Sequence, residues 1–94
     1  MSVLEKQLAR ALDKRLAVFA AKAADGSLLQ DEMSLRAAAY MAREIIMPCC
    51  CMLCNKDKLA QLLGQTSLCN GQQELTTKLA ELVYADLARC NGLG

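Results

Sequence analysis

Leucine and alanine recur along this chain at intervals of three and four residues, and that periodicity limits the fold more than any other feature. Leu4, Leu8, Leu12, Leu16, Phe19, Ala20 and Ala23 fall on one face of a cylinder with 3.6 residues per turn. The spacing predicts a helix over residues 2–24, stopped by Asp25-Gly26, where glycine can take the left-handed conformation that ends helices. A second helix is expected over 27–47. Ser27 stands as its N-cap with Gln30 at the capping-box distance. Leu29, Met33, Ala37, Tyr40, Met41 and Ile45 read as its buried stripe, and Glu32 and Arg36 pair on the outside. Pro48 closes the pattern, since the residue before a proline is pushed out of the helical region.

Two readings compete for the stretch after Met47. Either Pro48 opens a helix running to Leu63, or Cys49 to Cys54 form a connector and Asn55 caps a short helix over 55–63. Asn55 followed by Lys56, Asp57 and Lys58 has the form of a helix start, which favours the second. Leu59, Leu62 and Leu63 point inward in both. Residues 65–71 read as a loop. A last helix is expected over 71–90, capped by Asn70, with Leu75, Leu79, Leu82, Val83, Leu87 and Cys90 inward. The expected fold is all-α: one domain over residues 1–94, a roughly up-down four-helix bundle with a short third helix.

The apolar share is 54%, above the roughly 45–50% usual for a globular chain, and the excess is mostly alanine and leucine. A net charge of +1 provides no bulk electrostatic footprint for nucleic acid or an anionic membrane. Residues 1–15 mix apolar and charged side chains, unlike a signal peptide, and residues 45–55 fall far short of the roughly 20 residues of a membrane span. A cytoplasmic setting is expected, with the six cysteines as thiols or metal ligands and not a disulfide framework. The absence of histidine removes Ser-His and Cys-His nucleophiles and mixed Cys/His zinc sites. No phosphate-cradling glycine loop is present. Asp31-Glu32 and Glu81/Asp86 read as surface charges, so no catalytic residue is assigned.

Asp25-Gly26-Ser27-Leu28 with Glu32 imitates the second half of a calcium loop, but Ala21 and Ala23 stand at the first two ligand positions. The same Ala-Ala-Asp-Gly…Glu segment resembles the first helical hairpin of TerB-type helical domains, a likeness confined to less than a third of the chain. Leu59 to Thr66 resembles the opening of a helix-turn-helix. The turn-like Ser67 to Gly71 stands where a recognition helix belongs, and the last helix carries Glu74, Glu81 and Asp86, which repel phosphates.

Cys49, Cys50, Cys51 and Cys54 crowd into six residues, and Cys51 to Cys54 is a C-x-x-C. In an up-down bundle Cys90 approaches this cluster, whereas Cys69 lies about 30 Å away at 1.5 Å rise per residue. A thiolate site for zinc or another thiophilic metal would therefore use Cys51, Cys54, Cys90 and Cys50 (or Cys49). The competing reading makes these thiols small packing hydrophobes.

The function expected from these features is a non-enzymatic protein-binding or regulatory module, an adaptor, chaperone or inhibitor needing no cofactor. Its partner is another protein or a second copy. The expected interaction residues are Lys6, Arg10 and Lys14, a cationic strip on the first helix suited to acidic groups, with Ile46, Met47, Met52 and Leu53. Leu28 and Leu35 also lie off the expected buried stripes. The alternative is a metal-binding or redox-sensing module centred on Cys49 to Cys54.

Overall fold

The computed structural model describes residues 3–49 and 55–90, and the fold is all-α. Helix α1 spans Val3–Arg15 and tightens into a 3-10 stretch, Leu16–Phe19, before α2, Ala20–Ala24. Leu8, Leu12 and Leu16 are buried as the periodicity requires. Faster winding through the 3-10 stretch re-aims the side chains of α2. Ala23 is buried and Ala20 faces solvent.

The expected second helix is two helices. Gly26 takes φ 82°, and a Cβ there would meet nothing within 4 Å, so glycine serves the backbone conformation and not close packing. Ser27 is the first residue of α3, Ser27–Gln30, and not its cap. Its N–H donates to Asp25 Oδ1 at 2.9 Å, the turn that aspartate forms two residues ahead of itself. Asp31 then leaves the helical region at φ −100°, ψ 93°, and caps α4, Glu32–Ile46, by accepting from Ser34 N–H at 3.2 Å.

That break resets the helical phase. The buried side of α4 is Leu35, Ala38, Ala39, Ala42 and Ile46, and Leu28 is the buried residue of α3. Met33, Ala37 and Tyr40, expected inside, are exposed. The two sets lie roughly half a turn apart on the cylinder at 100° per residue. Alanines decide which side goes in, because their small side chains let α4 lie close to α1 and α6.

A 3-10 turn, Met47–Cys49, follows α4 directly, and Met47 keeps helical angles (φ −51°, ψ −43°) although it precedes Pro48, contrary to the sequence expectation. Asn55 caps α5, Lys56–Leu63, as its side chain suggests, accepting from Asp57 N–H at 2.7 Å and Lys58 N–H at 3.3 Å. Leu59, Leu62 and Leu63 are buried. Helix α6 is Gln73–Cys90, starting two residues after Gly71, so Asn70 is not its cap. Gly71 takes φ 77°, a second left-handed glycine. Helix α6 packs on α4 and α5, and α1 packs on the same two, which gives the four-helix arrangement.

The segment between α5 and α6 is more than a surface loop. Thr66, Leu68 and Cys69 are buried there. Thr66 Oγ1 donates to the Leu63 carbonyl at 2.7 Å, which meets the hydrogen-bonding need of a buried hydroxyl. Ser67 N–H reaches Asp13 Oδ1 at 2.8 Å, and Gln72 Nε2 donates to the Ala23 carbonyl at 3.1 Å. These bonds tie the segment to α1 and α2. Among the described residues no helix is long and apolar enough to cross a membrane.

Candidate interaction surface

The solvent side of α4 is the most unusual surface of the described chain. Met33 is 83% exposed and Tyr40 54%, and Ala37 lies between them in the i, i+4, i+7 order of one helical stripe. Large apolar groups in such a row keep water on one side only at a free-energy cost. The flanks are polar. Arg36 bridges Glu32 at 3.0 Å, and the Arg43 guanidinium lies 4.6 Å from the Tyr40 ring centroid while bridging Glu44 at 3.1 Å. The cation over the ring holds the Tyr40 side chain in place. A cleft between α4 and α6 continues the surface past Tyr40, lined by Leu82, Ala85, Asp86 and Arg89. Asp86 and Arg89 in that lining are paired with each other.

The strip expected on α1 is present: Lys6, Arg10 and Lys14 are all exposed. Met47 is half-buried. Ile46 is fully buried, which removes it from any surface: it belongs to the inward face that the Asp31 break selects. Leu28 and Leu35, expected off the buried stripes, are core residues for the same reason. Met52 and Leu53 lie outside the described residues, as do Cys50, Cys51 and Cys54. Cys90 is the last residue of α6 and Cys49 the last of the 3-10 turn; the juxtaposition expected of them involves residues outside the described set.

Cys69 is a buried thiol in the segment before α6. Burial pushes its pKa up, against hydrogen bonds with Thr66 and Thr76 that act the other way. The polar crevice beside it is lined by Gln61, Gln65, Gln72, Gln73 and Thr76, a set of amides and a hydroxyl. Both acids of the calcium-loop look-alike have protein partners, Asp25 in Ser27 and Glu32 in Arg36, and so does the neighbouring Asp31. Asp25 serves Ser27, whose hydrogen bonds hold its carboxyl below the usual range. Asp31 is lowered to about 2 by the Lys22 ammonium at 2.5 Å and by the Ser34 hydroxyl and N–H. Asp31 caps α4, and Asp25 holds the turn that leads into α3.

Sequence reasoning missed the exposed stripe of α4 because it assigned those residues to the core. One signal marked the error. Asp31 and Ser34 stand at N-cap and N3 spacing, which places a helix start one turn later than Ser27. No protein-family model matches the chain, and neither does any curated protein or solved structure.

Proposed function

We propose that the chain is a non-enzymatic protein-binding module that acts by presenting a helical surface, as an adaptor, chaperone or inhibitor does. The observation that carries this reading is the solvent side of α4, where Met33 and Tyr40 stand exposed on a helix whose opposite side is wholly buried. Methionine adapts its shape to a partner, and tyrosine supplies a rigid contact with a polar tip. The ion pairs beside them supply a polar rim of the kind that interfaces commonly carry.

The experiment is site-specific photocrosslinking in the native host, with the reactive residue at Ala37 and, as control, at Gln61 on α5. Position 37 yields a discrete protein adduct that position 61 does not. Met33→Glu combined with Tyr40→Glu removes it while the fold persists. Identical products from both positions, or an adduct indifferent to the double substitution, would remove the basis for this reading.

A further inference from the structure

We propose that α1 is a second docking surface, independent of α4, and that it takes an acidic amphipathic helix of another protein. Residues 3–24 carry a surplus of three positive charges in a chain whose net charge is +1, and the surplus is concentrated on one edge. Lys6, Arg10 and Lys14 succeed one another at four-residue intervals, about 6 Å apart along the axis. Like charges at that spacing repel, and a helix usually places acids between them.

Of the other cations, Lys22, Arg36, Arg43 and Arg89 each bridge a carboxylate, and Lys56 lies 5.5 Å from the Tyr84 ring centroid. Lys78 has Glu74 and Glu81 within a turn on either side, and Arg15 and Lys58 stand apart from one another without an ion pair among the described residues. Among the described residues, Lys6, Arg10 and Lys14 bridge none. Asp13, the acid nearest to Arg10 and Lys14 on the helix surface, accepts the Ser67 N–H and the Ser67 hydroxyl instead. The cations are thus left facing solvent as a row.

The row is bounded by apolar groups. Val3 is 72% exposed at one end and Val18 74% at the other, and a shallow hollow lined by Arg10, Lys14 and the Ser67-bonded Asp13 is floored by Ala11 and Ala17. A helix bearing carboxylates at i, i+4 and i+8 matches the cations rise for rise. Its apolar residues would meet the valines and the hollow. A phosphate backbone or lipid headgroups would satisfy the cations but leave Val3, Val18 and the alanine floor unused, so the protein partner fits more of the surface.

The probe is a fluorescein-labelled synthetic helix with three glutamates at four-residue intervals, flanked by leucines, titrated with the whole chain and read by anisotropy. Binding is expected to weaken about tenfold or more when Lys6, Arg10 and Lys14 are all changed to glutamine. A control with Lys56, Lys58 and Lys78 changed to glutamine has the same net charge and is expected to keep its affinity. Lys6→Arg with Lys14→Arg should bind as the parent does, which separates charge from folding. Met33→Glu with Tyr40→Glu should leave peptide binding intact, so that this surface and the α4 surface fail separately. Absence of binding, equal losses in both triple variants, or a glutamine-substituted peptide that binds as well would overturn the proposal. Tighter binding of duplex DNA or phosphatidylserine vesicles through the same three residues would overturn it too.

Discussion

Asp13 on α1 and Ser67 beyond α5 are 54 residues apart in sequence, and the Ser67 N–H donates to Asp13 Oδ1 at 2.8 Å. The Ser67 hydroxyl donates to the other carboxylate oxygen at 3.4 Å. A carboxylate accepting a backbone N–H is among the stronger hydrogen bonds of a surface, because the acceptor is charged.

Asp13→Ala is therefore expected to cost about 1–2 kcal/mol in urea unfolding, since it leaves the Ser67 N–H without its partner. Asp13→Asn keeps an acceptor oxygen and should cost less. No loss in Asp13→Ala would mean that the bond contributes nothing, and equal losses in the two would trace its contribution to the carboxylate charge.

The phase of α4 can be read from two single substitutions. Leu35→Ala removes a buried side chain and is expected to cost about 2–4 kcal/mol. Met33→Ala removes an exposed one and should stay within about 0.5 kcal/mol of the parent. The reverse order would place the sequence-derived stripe inside after all.

Much of the fold was legible in the sequence, and the places where it was not share a cause. The leucines of α1 and the Asn55 cap of α5 could be read because each depends on residues within a turn or two. In α4 the apolar residues fall on two opposite sides. Met33, Ala37 and Tyr40 make as good a stripe by period as Leu35, Ala38, Ala42 and Ile46. Choosing between them requires knowing how closely the neighbouring helices approach, a tertiary matter that favours alanine over larger groups. The segment before α6 looked like a loop for a similar reason. Its order comes from Asp13 and Ala23, far away in sequence. Of the candidate interaction residues, the cations of α1 were legible because exposure of charge is nearly automatic. The exposure of Met33 and Tyr40 was not, since it runs against their chemistry.

Asp31 gives the structure an acid limit. Its carboxyl is held at about 2 in the folded chain against an ordinary value of 3.8, chiefly by the Lys22 ammonium and then by Ser34. A depressed carboxylate stabilises the fold at all pH above its unfolded value, and that contribution is lost as pH falls from about 4 towards 2. Thermal melts should therefore show Tm declining through this window, and Asp31→Asn should flatten the decline. An unchanged profile in the variant would assign the acid sensitivity to other groups.

Cys69 should react slowly with a thiol reagent in the native state. It is buried, and burial raises its pKa, so little thiolate is present near neutral pH. Timed iodoacetamide labelling followed by peptide mapping is expected to show Cys69 modified only at the rate of unfolding. Native-state labelling as fast as that in denaturant would contradict its burial.

The one-residue interruption at Asp31 also bears on how such a chain can change over generations. In an unbroken helix, an inserted or deleted residue rotates everything beyond it by 100°, moving core positions to the outside. Here the backbone leaves the helix and re-enters it with a fresh cap, so α3 and α4 do not share a screw. A residue inserted or deleted between Gly26 and Asp31 would rotate only the single turn of α3 and leave the buried alanines of α4 on their heading. The interruption insulates the register of the long helix from indels upstream of it.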